Sequence, residues 1–268
     1  TNELIDLFDA SPDVPTASAF SQQRCKISPD AFRTVFCDFS QEISNTFKNE
    51  IPLLAVDGSK IQIATNPNDT ESFYPGSNGQ KPYNLLHLNA LYDLKYCIYS
   101  DVVIQKDRKS NEHKAFAEMI DRSNIPKAIV IADRGYESYN NMAHVQEKGW
   151  YFLIRIKDGK TGMKDGYDLP MEPEYDVSIS MNLIRRQNKE TKALCKDRNN
   201  YKFFPATSTF DYLPSKSRKA DPTLSYNLRF RIVRFKISED SYETVLTNLA
   251  IDQYPPQKLK ELYAARWG

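Results

Sequence analysis

The run Ile129–Ala132, with the sequence IVIA, constrains the fold of this chain more than any other short segment. Four consecutive apolar residues without polar alternation are typical of a strand that is covered on both faces of a sheet. Helical patterns lie before and after the run, at residues 111–124 and 139–149, and another strand pattern, WYFLIRIK, begins at Trp150. This alternation of strand and helix predicts parallel strands joined by crossover helices.

The preceding part of the chain follows a different pattern. Residues 51–63, 83–94 and 96–106 predict three strands, and the last two are joined by a short connection. Short connections favour an antiparallel meander, because parallel neighbours need a long crossover. We therefore expect an α/β fold with a mixed five-stranded sheet, whose first three strands are antiparallel and whose others are parallel, with flanking helices.

Composition shifts divide the chain into four predicted segments. Residues 158–240 interrupt the strand–helix rhythm, because glycines and prolines cluster at their start and strand-like basic pieces follow. We predict a helical N-terminal segment at 1–50, the first part of a core at 51–157, a β-rich basic insertion at 158–240, and a last core strand and helix at 241–268.

Several features argue against membrane and secreted classes. No apolar run approaches the roughly 20 residues that span a bilayer, and the acidic start TNELIDLFDASPD has no hydrophobic signal region. The four cysteines, Cys25, Cys37, Cys97 and Cys195, form no CxxC pair, which favours reduced thiols over a zinc site or a disulfide framework. We expect a cytoplasmic protein with no membrane partner.

The net charge of +1 hides an uneven distribution. Residues 1–50 contain four basic and eight acidic side chains, whereas residues 181–236 contain fourteen Lys or Arg and four acids. Such a split indicates either a face that binds a polyanion or a solvated basic surface.

Two aspartates are candidate metal ligands. Asp57 lies within the first strand pattern, and Asp133 directly follows the IVIA run. If the two strands are neighbours, the carboxylates converge at one edge of the sheet, where open sheets place their sites. Close carboxylates repel each other, and Mg²⁺ or Mn²⁺ between them relieves that repulsion. The alternatives are a turn at Asp57-Gly58 and a helix cap at Asp133.

Five ordered blocks resemble those of bacterial DDE-type transposases of the insertion-sequence family 4 group. They are AVDGSKI, ADRGY, YFLIRIK, TNL and LYAARWG, and PTASAFSQQRCKI is similar to the segment ahead of that family's catalytic core. The resemblance implies a ribonuclease-H-like fold with a β-rich insertion after the fifth strand. It also implies a catalytic domain that uses two Mg²⁺ or Mn²⁺ ions to hydrolyse phosphodiesters and transfer DNA strands.

The family's acidic residues carry over at two positions. Asp57 and Asp133 match the first and second catalytic metal ligands. Tyr263 and Arg266 match the start of the motif Y-x2-R-x3-E-x6-K, whose glutamate would fall beyond Gly268. The chain as given thus holds two of the three acids, and we expect a fragment with little or no activity of its own.

The remaining candidates concern DNA. The resemblance implies DNA contacts for Tyr263 and Arg266. Arg134 beside Asp133 is a candidate phosphate contact, and so are Arg229, Arg231 and Arg234 on a strand pattern and Lys216, Arg218 and Lys219 in a polar run. On that strand Arg229 and Arg231 should share a face, and Arg234 should point away. The implied partners are double-stranded transposon ends and target DNA. Whether a homodimer acts on them stays open.

Two other functions remain as alternatives. A nuclease with a ribonuclease-H-like fold would cut DNA without joining strands. A non-catalytic remnant would bind DNA in a salt-sensitive manner and gain no activity when the chain is extended.

Overall fold

The computed structural model describes residues 2–7, 9, 14–24, 26–46, 50–157, 162–185, 188–214 and 224–266. Lys216, Arg218 and Lys219 lie outside these ranges. Within them, no helix combines the length and the apolar character required to cross a membrane.

The chain divides into two compact units, of which the first is Thr1–Phe47. This unit is helical, as its sequence predicts, with α1 at Asn2–Leu7, α2 at Ala17–Arg24 and α3 at Pro29–Thr46. The Ser28 hydroxyl accepts a hydrogen bond from the backbone N–H of Asp30 at 3.3 Å, and Pro29 occupies the first helical position, which needs no amide donor.

The second unit, Lys48–Gly268, holds a sheet with helices on both faces. Its strands are β1 Leu53–Ile63, β2 Phe73–Tyr74, β3 Tyr83–Asp93, β4 Ile98–Lys106, β5 Ile129–Ala132, β6 Tyr151–Arg155, β7 Tyr175–Ile184, β8 Tyr201–Phe203, β9 Ser225–Ser238 and β10 Ser241–Thr247. Its helices are α4 Glu112–Arg122, α5 Tyr139–Glu147, α6 Lys189–Leu194 and α7 Pro256–Ala264.

The mixed sheet is confirmed. Strands β1, β3 and β4 are antiparallel, and β1, β5 and β6 are parallel, so the predicted five strands lie in the order β4-β3-β1-β5-β6. The sheet is wider than expected. β10 continues it beyond β6, and β9, β7 and β8 of the insertion then follow in the same sheet.

Strand β5 is covered on both faces, as its uninterrupted apolar sequence predicts. Val130 and Ala132 belong to the core cluster that α4 and α5 supply with Phe116 and Met142. Ile129 and Ile131 belong to a second cluster, which includes Leu259 and Tyr263 of α7. Because all four side chains are buried, the strand is held firmly up to its last residue, and Asp133 starts from a fixed point.

Candidate functional site

The pairing of β1 with β5 brings Asp57 and Asp133 to the same level of the sheet. Ala55 pairs in parallel with Ile131, and each aspartate lies two residues further along its own strand. Neighbouring strands are about 4.8 Å apart, and residues two positions apart point to the same face. The two carboxylates therefore occupy adjacent positions just beyond the last β1–β5 pair, Asp57 within β1 and Asp133 directly after β5.

Of the local roles that the sequence left as alternatives, the cap at Asp133 is observed, whereas Asp57 and Gly58 lie within β1 and form no turn. Asp133 Oδ1 accepts a hydrogen bond from Gly135 N–H at 2.8 Å and caps the short 3-10 helix Arg134–Tyr136. Asp57 Oδ1 accepts from Gly58 N–H at 2.9 Å. Each of these hydrogen bonds uses one carboxylate oxygen, so each aspartate can still offer its other oxygen to a ligand.

Arg266 lies against Asp57. Its guanidinium Nη2 is 3.3 Å from Asp57 Oδ1 and donates to the Val56 carbonyl at 3.4 Å. Tyr263, three residues earlier on α7, is buried in the second core cluster, and burial raises the pKa of its hydroxyl. The two candidates from the end of the chain are thus packed beside the first strand, and Arg266 neutralises part of the charge of Asp57.

Glu112, which the sequence pattern did not single out, lies beside Gly58 and Gly135, the glycines that follow the two aspartates. A Cβ atom built at Gly58 would lie 2.8 Å from Glu112 Oε1, and one built at Gly135 would lie 3.0 Å from Asp133 Oδ1 and 3.8 Å from Glu112 Oε2. Acidic residues are common in the first turn of a helix, because their charge interacts favourably with the helix dipole. The sequence therefore gives no sign that Glu112 has a further role.

The Tyr136 hydroxyl is buried and senses the charges of these three acids. Tyr136 is 2% exposed, and in the described part of the chain its oxygen has no hydrogen-bond partner. Burial raises the pKa of this hydroxyl, and the charges of Glu112, Asp57 and Asp133 raise it further. A buried hydroxyl without a partner is rare and is typical of a site that a ligand or an ordered water completes.

An open groove of about 820 Å³ begins at Asp133. Its wall carries the basic side chains of Arg134, Lys157 and Lys202, of which Arg134 and Lys157 are exposed. Lys202 comes from β8 of the insertion, donates to the Tyr139 hydroxyl at 2.9 Å, and has its pKa lowered by burial. The remaining lining residues are His113, Gly135, Glu137, Tyr139, Gly162 and Met163.

The three arginines of β9 have different surroundings. Arg229 is exposed. Arg231 is buried and forms a salt bridge with Asp176, and its Nη1 donates to the carbonyls of Leu249 at 2.7 Å and Tyr254 at 3.1 Å. Arg234 is half-buried over the ring of Tyr242. Alternation along the strand does not reveal this difference, because the 249–254 segment covers one position and leaves the other open.

The donor set at the sheet edge suits a hard divalent cation. Asp57, Asp133 and Glu112 offer carboxylate oxygens, which Mg²⁺ and Mn²⁺ prefer, and the buried Tyr136 hydroxyl has no hydrogen-bond partner in the described part of the chain. As the side chains stand, no group of three His, Cys, Asp or Glu among the described residues could hold a metal ion. A cation held by fewer carboxylates would keep several of its waters.

Comparison with known proteins places the chain in a family. The family model described as the transposase DDE domain matches residues 48–268. Among solved structures, the cryo-EM structure of a piggyBac transposase synaptic complex with hairpin DNA is similar, with a TM-score of 0.38 and 10% identity over 84% of this chain and 42% of that one. The curated proteins contain no match. The matched region includes both aspartates and the whole sheet, and the chain belongs to the transposase DDE domain family.

Proposed function

We propose that this chain is the catalytic domain of a DNA transposase, which hydrolyses a phosphodiester and then joins the freed 3′-hydroxyl to a new strand. The observation that supports this most is the β1–β5 register, which sets Asp57 beside Asp133 at the start of a groove with a basic wall. Membership in the transposase DDE domain family supports the same class of reaction.

Both steps of this reaction are in-line displacements at phosphorus, so the site must hold a nucleophile and a leaving oxygen on opposite sides. DDE transposases generally use divalent metal ions, which activate the nucleophile and stabilise the leaving oxygen. Asp57 and Asp133 would hold Mg²⁺ or Mn²⁺. Arg134, Lys157 and Lys202 would bind the phosphates along the groove.

The proposal extends to the finer expectations from the sequence. We assign the chain to the insertion-sequence family 4 group of bacterial transposases, acting in the cytoplasm on double-stranded element ends and target DNA. The segment boundaries at residues 50, 157 and 240 belong to this proposal, as does pairing of two copies on paired ends. The family motif places its glutamate four positions after Arg266, so residues 1–268 supply two of its three acids.

A strand-transfer assay tests this function. The chain is extended through the glutamate of the motif and mixed with Mn²⁺, a labelled duplex that carries an element end, and a target duplex. We expect cleaved and joined products from the extended chain and at most traces from residues 1–268. Asp57→Asn or Asp133→Asn should abolish both products.

The other outcomes identify the alternatives. Cleavage without joined products would favour a nuclease. DNA binding without cleavage after extension would favour a non-catalytic remnant. Full activity of the Asp133→Asn variant would contradict the proposed site.

A further inference from the structure

The carboxylate of Glu112 occupies space that two glycines leave open. A methyl group at Gly58 would approach Glu112 Oε1 and His87 Nε2 to 2.8 Å each, which is closer than real Cβ contacts. Gly58 directly follows Asp57, and Gly135 follows Asp133 by two residues. The absence of side chains at these two positions lets an acid from α4 approach the edge of the sheet where the two aspartates lie.

His87 and Asp107 lie behind Glu112. His87 of β3 is 5% exposed, and its Nε2 lies 3.1 Å from Glu112 Oε1, although neither ring nitrogen makes a hydrogen bond in the described part of the chain. On the other side of the ring, His87 Nδ1 lies 3.7 Å from the buried carboxylate of Asp107. That carboxylate accepts hydrogen bonds from the Tyr74 hydroxyl at 2.6 Å and Lys60 Nζ at 3.1 Å.

We propose that Glu112 is a third acidic residue of the divalent-cation site, alongside Asp57 and Asp133. The inference rests on the proposed function, because it assigns a further residue to the same site. Two observations support it: the Glu112 oxygens lie beside both glycines, and the Tyr136 hydroxyl, which senses the charge of all three acids, is buried without a hydrogen-bond partner in the described part of the chain.

The geometry also defines how Glu112 acts. Its Oε1 is turned toward His87, and its Oε2 is the oxygen nearer to Asp133. Since no three acids among the described residues could hold a metal as they stand, Glu112 would act on the cation through a bound water or after a side-chain rotation. Its negative charge attracts the cation in either case, and a cation that retains waters accommodates both modes.

Mn²⁺ binding to residues 1–268 tests this inference without DNA or activity. Isothermal titration, supported by the Mn²⁺ electron-spin-resonance signal, compares the wild type with Glu112→Gln, Asp57→Asn and Asp133→Asn. We expect Glu112→Gln to weaken binding by about 10- to 100-fold, as loss of a supporting group does in other metal sites. Glu112→Asp, which keeps the charge, should recover part of the affinity.

The matched control is Glu118→Gln. Glu118 is on the same helix, and its exposed ion pair with Arg122 contributes little to stability. This variant should bind Mn²⁺ like the wild type. Circular dichroism of each variant, and the rise in melting temperature that Mn²⁺ causes, separate lost binding from lost folding.

The results distinguish this inference from the proposed function. If Asp57→Asn and Asp133→Asn lose Mn²⁺ and Glu112→Gln binds it normally, the role of Glu112 is refuted and the proposed function stands. If all three variants bind Mn²⁺ like the wild type, both are refuted. A loss in Glu112→Gln that Glu118→Gln reproduces would also overturn the role of Glu112.

Discussion

At the scale of single residues, Asp133 shows how one carboxylate serves both the fold and the site. Its Oδ1 caps the 3-10 helix through Gly135, and the buried strand before it fixes its direction. A capping role and a metal-binding role are compatible because a carboxylate has two oxygens. Helix caps and strand-end ligands are the same residue types, so sequence alone leaves the choice open.

The predictability of the site differs from residue to residue. Asp57 and Asp133 were predicted as metal ligands from strand patterns, because a polar residue at the end of an apolar run is conspicuous. Glu112 was not among the predicted residues, since its contact with His87 joins α4 to β3 across positions that no periodicity relates. Arg231 was taken for a DNA contact, and the structure instead buries it against Asp176. The surroundings of Glu112 and Arg231 both depend on contacts between distant parts of the chain, which the sequence pattern does not show.

Tyr136→Phe tests whether the hydroxyl is partnerless in the free protein. Removing a buried hydroxyl that makes no hydrogen bond should raise the free energy of unfolding by about 1 kcal/mol in metal-free buffer. The matched control is Tyr139→Phe. The Tyr139 hydroxyl is paired with Tyr167 and Lys202, both at 2.9 Å, so this variant should lose about 1 to 3 kcal/mol. Urea denaturation measures both, and equal destabilisation of the two variants would disprove the assignment for Tyr136.

At the scale of elements, β9 links the insertion to the core. It pairs with β10 on one side and with β7 on the other, which makes the insertion a continuation of the sheet. The strand was predicted from its alternating sequence, but its partners were not, because strand pairing depends on chain topology. Strand β8 ends at Phe203, two residues before Pro205, which has no N–H for a strand ladder.

Substitutions on β9 separate stability from DNA binding. Arg231→Met should lower the free energy of unfolding by about 3 to 5 kcal/mol, because it leaves the carboxylate of Asp176 buried without its partner. Arg229 on the same strand is exposed, so Arg229→Ala should change the free energy of unfolding by about 0.5 kcal/mol or less. Chemical denaturation of the two variants provides the comparison. A mild effect of Arg231→Met would show that the salt bridge is not maintained in solution.

At the scale of the whole molecule, the structure shows which of the many basic residues of the insertion are exposed and which are paired within the protein. Several basic residues of the insertion contact the protein itself, as Lys202 does through the Tyr139 hydroxyl. Arg231 pairs with Asp176, and Arg185 donates to the carbonyls of Phe210 and Leu213. Exposed basic side chains remain on the described part of the insertion, at Lys189, Lys192, Lys196, Arg198, Arg229 and Lys236. This set is the candidate surface for phosphate contacts, and composition alone could not select it.

The salt dependence of DNA binding tests that surface. Each phosphate contact contributes about −0.9 to the slope of log affinity against log salt concentration. Arg229→Ala should therefore reduce the steepness of the slope by about 1. Lys95→Ala is the control. Lys95 lies two residues after Asp93, which pairs with the start of β1, so Lys95 is away from the basic surface of the insertion. An unchanged slope in Arg229→Ala would remove Arg229 from the DNA-binding surface.

The central claim is that the edge of the sheet at Asp57 and Asp133 holds a divalent cation. Iron-mediated cleavage tests it most directly, because Fe²⁺ bound in place of Mg²⁺ generates hydroxyl radicals that cut the nearby backbone in the presence of ascorbate. We predict cuts close to Asp57 and Asp133 that excess Mg²⁺ suppresses and that Asp133→Asn abolishes. Cuts confined to other parts of the chain, or cuts at these positions that persist in Asp133→Asn, would contradict the account.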